Sequence, residues 1–160
     1  MKKSLLKVLC AFAVACVLAL VVTGCGGTEQ EPADAGQGSG MEELAGASGF
    51  CVTLDAESED TFEGTVTLAE GESLVVASQL TSGEAEIEEA LDGESMGSDY
   101  AYEGAGISET GFEPGDYTVT IKPSEATGTI YVLAYPTGQL DFENTDTEAL
   151  VAQIAEFAGV

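Results

Sequence analysis

The stretch that decides the fold is PGDYTVTIKPSEATGTIYVLAY, residues 114–135. It opens with a Pro-Gly-Asp turn signal, after which Tyr117, Val119 and Ile121 alternate with polar residues at the period of a half-buried strand. From Ile130 to Tyr135 apolar residues occupy both alternating sets, which is typical of a strand buried on both faces. We therefore predict two strands here, the second of them central in its sheet.

More runs with strand character precede this stretch, separated by turn signals at the spacing of a sandwich. They cover residues 50–54, 61–68, 73–80, 84–91 and 106–112. The run 84–91 also fits one helical turn through Ile87 and Leu91, although a strand with its glutamates towards water is the preferred interpretation. The whole pattern predicts an all-β fold, an antiparallel β-sandwich of jelly-roll type with six to eight strands.

A short helix is predicted at the C-terminus. Thr145 or Asp146 can cap a helix over residues 147–158, in which Leu150, Ile154 and Phe157 form one apolar stripe. We expect this helix to dock on the sandwich. A handle for a partner protein is the alternative.

Two short motifs follow one another in the segment 61–136: Gly71-Glu72-Ser73-Leu74 and Pro114-Gly115-Asp116-Tyr117-Thr118-Val119. In type and order they resemble motifs of the pre-peptidase C-terminal-like β-sandwich modules of secreted bacterial peptidases. The resemblance implies a jelly-roll fold and a non-catalytic role. It implies no catalytic residues for this chain.

The N-terminus has the layout of an export signal. Three lysines within the first seven residues precede an uncharged stretch that is strongly apolar over residues 8–22. The stretch ends in Val22-Thr23-Gly24-Cys25, which resembles the bacterial lipobox. That resemblance implies cleavage before Cys25 and a diacylglyceryl group with palmitate-type chains on its thiol. An uncleaved membrane anchor is the alternative, since a span needs about 20 apolar residues.

The predicted organisation has three parts. Residues 1–24 are the lipoprotein signal peptide, residues 25–45 a lipid-anchored flexible tether rich in small and polar residues, and residues 46–160 the acidic β-sandwich with its helix. This places the domain outside the cell, attached to the outer leaflet of the membrane. The mature chain would keep Lys122 as its one basic residue against 29 acids, a net charge of −28. No nucleic acid partner is expected, because phosphates would be repelled.

Cysteine usage follows from this processing. Cys51 would be the single thiol left once the leader is removed and Cys25 is alkylated. Its neighbours Phe50 and Val52 predict that it is buried in the core; pairing with another chain is the alternative.

The side chains of most catalytic machinery are missing. The sequence has no His, so neither a Ser-His-Asp nor a Cys-His arrangement can form, and no Gly-rich phosphate loop followed by Lys occurs. A carboxylate pair of the glycosidase type would arise by chance among 29 acids. We therefore expect no enzyme activity and no cofactor apart from Ca²⁺.

Two acidic segments carry oxygen ligands of the kind that Ca²⁺ prefers. In a predicted Gly-rich loop, the candidate metal ligands are Asp92, Glu94, Asp99 and Glu103. A second segment carries Asp141, Glu143 and Asp146. Solvated surface is the alternative for both, because acids fill about one position in five of the mature chain.

Two functions remain for such a chain. The leading hypothesis is a membrane-anchored lipoprotein whose non-catalytic, highly acidic β-sandwich is a binding or structural module of the cell surface, with a glycan or a protein as its partner. The alternative is a Ca²⁺-dependent carbohydrate-binding module, in which Tyr100 and Tyr102 would supply the aromatic rings.

Overall fold

The computed structural model describes residues 39–159, which form six strands and one helix. The elements are β1 (Gly40–Glu43), β2 (Gly49–Leu54), β3 (Phe62–Leu68), β4 (Glu72–Leu91), β5 (Glu94–Thr110), β6 (Gly115–Pro136) and α1 (Thr147–Ala158). Every strand pair is antiparallel. The predicted antiparallel β fold with a short C-terminal helix is confirmed.

The strands form one sheet around β6. Their order is β1-β2-β6-β4-β5, with β3 paired to β6 outside this path. Along one edge of β6, residues 115–121 pair with β3 and residues 128–133 with β2, whereas β4 follows the other edge over most of its length. The prediction that the strand ending at Tyr135 is central is therefore confirmed.

The sheet folds over on itself where β4 and β6 change register. The pairing shifts within residues 80–84, where Gly83 has a φ of 72° and Glu125, on β6, a φ of 50°. At Gly128 a Cβ would overlap the Gln79 carbonyl, so glycine permits the close approach of the two strands. Such irregularities bend a sheet. The two halves of one sheet thus become the two layers of the predicted sandwich.

The main core lies between these layers. Val76 and Ile130 from one half meet Ile87 and Ile121 from the other in one buried cluster. Burying a side chain of this size contributes about 1.5–3 kcal/mol. Tyr117 is also fully buried, and its hydroxyl donates a hydrogen bond to the Glu113 carbonyl at 3.1 Å.

Segments predicted as separate strands are continuous in the structure. The runs 73–80 and 84–91 both belong to β4, and the two runs within residues 114–135 both belong to β6. Small residues between the runs bend each strand without ending it. Residues 84–91 are strand, as preferred over a helical turn.

Helix α1 docks on the outer side of the layer that contains β2. Asp146 is its N-cap, accepting a hydrogen bond from the Ala149 amide at 2.9 Å. Leu150, Val151, Ile154 and Ala158 are buried in a second cluster with side chains of β2, β4 and β6. Phe157, expected in the buried stripe, is 42% exposed and lies edge-on against Tyr135 with the ring centroids 4.7 Å apart. The docking prediction is confirmed.

The folded part begins earlier than residue 46. The four residues of β1 pair with β2, and Leu44 is buried under the helix. Residues 40–45 thus belong to the domain and not to the tether, because strand pairing uses backbone hydrogen bonds and needs no apolar alternation. The signal peptide 1–24, Cys25 and the tether up to residue 38 lie outside the described residues. Within residues 39–159 no helix is both long and apolar enough to cross a membrane.

Cys51 is buried, at 1% exposed, in the cluster under the helix, as predicted. It is disulfide-bonded. The expectation that Cys51 remains a thiol is therefore wrong for this structure. The other cysteines of the chain lie outside the described residues.

Candidate functional site

One outer surface of the sandwich carries the side chains that the core does not use. Along β4, Ala85 and Ile87 point into the core, so the glutamates between and beside them point outwards. On β5, the buried Ala101 separates two outward tyrosines in the same way. We name this surface the tyrosine face and define it by Glu84, Glu86, Glu88, Tyr100, Tyr102 and Lys122.

The two tyrosines are the prominent feature of the tyrosine face. Tyr100 is 45% and Tyr102 59% exposed. Their ring centroids are 6.1 Å apart and their planes differ by 20°, within the range in which aromatic pairs attract each other. Because β5 is the last strand of the sheet order, no strand of the described part covers the rings from that side. The pair offers a preformed aromatic surface to water.

Strand register places acidic groups beside the rings. Tyr100 stands opposite Glu86 and Tyr102 opposite Glu84 on the neighbouring β4. The Tyr100 hydroxyl donates a hydrogen bond to Glu86 Oε1 at 3.2 Å. This bond joins the Tyr100 ring to the carboxylate beside it.

Lys122 completes the row on β6, opposite Glu86. Its Nζ lies 2.6 Å from Glu88 Oε1 and 3.9 Å from Glu86 Oε2. The hydrogen bond to Glu88 raises the pKa of the Lys122 ammonium, with further support from the charge of Glu86. The charge of Glu86, together with its hydrogen bond, also raises the pKa of the Tyr100 hydroxyl. These groups therefore form one electrostatic network.

The first predicted Ca²⁺ segment is not a loop. Asp92 and Gly93, with φ of 49° and 85°, form the two-residue turn between β4 and β5, and Glu94, Asp99 and Glu103 lie along β5. Asp99 and Glu103 are four residues apart on an extended strand, about 13 Å. Among residues 39–159 no group of three or more acidic or cysteine side chains has the spacing of a metal site. Ca²⁺ binding by these residues stays a prediction.

The sequence signal that identifies this hairpin is Asp92-Gly93 itself. In a two-residue hairpin turn whose twist matches that of the strands, both turn residues have a positive φ, and Asp followed by Gly adopts these angles readily. The alternating signal of β5 is weak, because glycines and serines occupy many of its positions.

The second acidic segment serves local structure. Asp141 Oδ1 accepts hydrogen bonds from the Glu143 amide at 3.2 Å and the Asn144 amide at 3.1 Å. The side-chain amide of Asn144 donates to both Asp141 carboxylate oxygens, and these bonds lower the pKa of Asp141. Asp146 caps the helix. Structural roles thus account for both aspartates.

Glu89 lies on the inner side of β4, away from the tyrosine face. Burial raises the pKa of its carboxyl. The Thr110 hydroxyl lies 3.1 and 3.0 Å from the two carboxylate oxygens and bonds Glu89 across the sandwich. Its carboxylate is therefore engaged inside the domain, whereas those of the tyrosine face meet water.

No known protein family and no curated protein matches the sequence. Among solved structures, a family two carbohydrate esterase from Clostridium thermocellum in complex with cellohexaose is similar at 14% identity and a TM-score of 0.35, over 59% of this chain and 30% of that chain. The CBM36-1 domain of a multidomain xylanase from the hindgut metagenome of Trinervitermes trinervoides is similar at 16% identity and a TM-score of 0.32, over 63% of this chain and 84% of that chain. The present chain thus spans less than a third of the esterase. Likenesses of this size place the chain in no family.

Proposed function

We propose that this chain is a non-catalytic binding module of the cell surface and that the tyrosine face binds a glycan. The observation that carries the proposal is the pair of nearly parallel, exposed rings of Tyr100 and Tyr102. A sugar ring has an apolar face and a rim of hydroxyls, so it suits an aromatic surface flanked by hydrogen-bonding groups. Glu84 and Glu86, in register with the rings, supply acceptors for those hydroxyls.

The lipid anchor is part of the same proposal. The lipobox-like Val22-Thr23-Gly24-Cys25 supports a diacylglyceryl group on Cys25, and two acyl chains hold a protein at a membrane far more firmly than one. The segment before β1 would then separate the acidic sandwich from anionic head groups, which repel it. The absence of His from the sequence supports a binding role over catalysis.

The binding proposal is tested with the full chain in detergent micelles on an array of soluble oligosaccharides. We expect at least one glycan to bind the wild type and to lose tenfold or more in affinity with both Tyr100→Ala and Tyr102→Ala. Phe112→Ala is the matched control, because Phe112 is also 59% exposed but lies between β5 and β6, outside the tyrosine face. A blank array, or equal losses in all three variants, would refute the proposal. Turnover of a bound glycan would refute its non-catalytic part.

The Ca²⁺ alternative has its own measurement. The array is repeated in EDTA and in millimolar Ca²⁺, with the quadruple Asn/Gln variant of Asp92, Glu94, Asp99 and Glu103 as a comparison. Binding that needs Ca²⁺ and those carboxylates supports the Ca²⁺-dependent module. Binding that is equal in both buffers excludes it.

The anchor is tested by mass spectrometry of the native N-terminal peptide. A mature chain that starts at a lipidated Cys25 supports the proposal, and Cys25→Ser should abolish both processing and lipid. A chain that retains residues 1–24, or in which Cys25 is joined to another cysteine instead of lipid, contradicts it.

A further inference from the structure

The tyrosine face is strongly acidic for a sugar-binding surface. Glu63 and Glu88 both stand opposite Thr120, on either side of β6, and Glu86 stands opposite Lys122. With Glu84 at the neighbouring position, four glutamates and one lysine share this side of the sheet. A neutral sugar would leave most of this charge uncompensated.

The ammonium group of Lys122 already lies against two carboxylates of this surface. It is the single basic residue outside the first seven positions of the chain, and it lies between Glu88 and Glu86 on this face. The hydrogen bond to Glu88 raises its pKa, so the surroundings favour an ammonium over a neutral amine. Within residues 39–159, Glu84 on this face and Glu63 next to it on β3 have no cation within ion-pair distance. The face therefore binds one ammonium and retains carboxylates for more.

The rings favour the same chemistry. An ammonium close to the face of a tyrosine is attracted by the ring quadrupole, and a neighbouring carboxylate adds to that attraction. Glu84 stands opposite Tyr102 and Glu86 opposite Tyr100, so each ring has a carboxylate directly across the strand pair. Ammonium groups spaced along a chain of sugars would meet ring and carboxylate together.

We propose that the glycan bound by the tyrosine face carries free amino groups, as in a polymer of de-N-acetylated amino sugars. This inference rests on the proposed glycan binding and specifies its ligand class. The sugar rings stack on Tyr100 and Tyr102, and an ammonium group beside Tyr102 pairs with Glu84, which has no cation within ion-pair distance in the described residues. Anionic glycans are repelled by the same carboxylates.

The test compares two probes of equal length, a glucosamine hexamer and an N-acetylglucosamine hexamer, by calorimetry at pH 6 with the full chain in detergent micelles. We expect the glucosamine hexamer to bind about tenfold more tightly and to lose most of this advantage when salt rises from about 0.05 to 0.5 M, because exposed charges are screened. Glu84→Gln should weaken glucosamine binding about threefold, as expected for an exposed ion pair, and weaken binding of the acetylated hexamer less, because the Gln amide oxygen still accepts a hydrogen bond. Glu57→Gln, on the loop between β2 and β3, controls for the loss of one charge.

The outcomes separate this inference from the function on which it rests. If the acetylated hexamer binds as tightly as the glucosamine hexamer or more tightly, the amino-sugar inference fails and glycan binding stands. If neither hexamer binds and the array is blank, both fail. A lysine hexamer peptide that binds as tightly as the glucosamine hexamer, with no loss in Tyr102→Ala, would show general cation binding and overturn the inference.

Discussion

Replacing Ile154 by Ala tests whether helix α1 stabilises the sandwich. Ile154 is 0% exposed and lies among the side chains of β2, β4 and β6 in the cluster under the helix. Truncating a buried Ile to Ala costs about 2–5 kcal/mol, from lost burial and the cavity left behind. Because the helix lies on the outside of the sheet and can settle partly into the space, we expect about 3 kcal/mol. At 0.05–0.15 kcal/mol per residue, a domain of about 120 residues has only about 6–18 kcal/mol in total.

The assay is equilibrium unfolding of the full chain in urea, followed by circular dichroism in the far ultraviolet. We expect a lower urea midpoint with an unchanged slope, and a melting temperature lower by about 12 °C, at about 4 °C per kcal/mol. Glu156→Ala, on the exposed side of the same helix, is the control and should change stability by less than about 0.5 kcal/mol. Ile154→Val should fall between the two, at about 1 kcal/mol.

Two results would refute this reasoning. If Ile154→Ala unfolds at the wild-type midpoint, the helix adds nothing to the stability of the sheet, and the handle interpretation gains support. If helical signal is lost first while the sheet unfolds at its original midpoint, the helix and the sandwich are separate cooperative units.

Three further predictions concern single positions and use the same unfolding assay. Asp146→Ala removes the helix N-cap and should cost about 1 kcal/mol; an unchanged midpoint would contradict the capping role. Gly128→Ala forces a Cβ onto a neighbouring carbonyl at a positive φ and should cost about 3 kcal/mol, against about 1 kcal/mol for Gly138→Ala, where φ is also positive but space is open; equal losses would mean that the close approach at the bend is unimportant. Burial raises the pKa of Glu89. The protonated carboxyl therefore stabilises the folded state below the ordinary pKa of 4.5, and this stabilisation is lost as pH rises through the raised pKa. Glu89→Gln should therefore be more stable than Glu57→Gln at pH 7, and a difference that persists unchanged at pH 4 would refute the burial argument.

Local sequence patterns predicted most of the elements of this fold. Alternation identified β3, both halves of β4 and the first half of β6. Apolar residues on both faces identified the second half of β6. The capping residue and the apolar stripe identified α1. Local patterns did not identify β1, because Gly40–Glu43 pairs through its backbone and buries none of its own side chains. Nor did they show that β4 and β6 continue through the bend, because small residues there indicate a turn as readily as a bulge.

The candidate site was only partly predictable, because it depends on the register between strands. Alternation placed Glu84 and Glu86 on one side of a strand. Tyr100 and Tyr102 fall in a segment that was predicted to be a loop, whereas in the structure they lie on one side of β5. That these sides coincide depends on register, which is set by the Asp92-Gly93 hairpin and by the shift within residues 80–84. A slip of one residue would move Glu84 and Glu86 to the opposite side of the sheet from the tyrosines.

The position of the bulge therefore matters for function as well as for fold. Beyond Leu80 the pairing of β4 with β5 resumes at Glu84 opposite Tyr102. Because β4 has extra residues at this point, Ala85 and Ala101 face the core together, and the charged and aromatic residues beside them face water together. Alanines occupy the inner positions of this row, while the outer positions carry the large polar side chains. The same irregularity that folds one sheet into two layers thus brings the rings and the carboxylates into one surface.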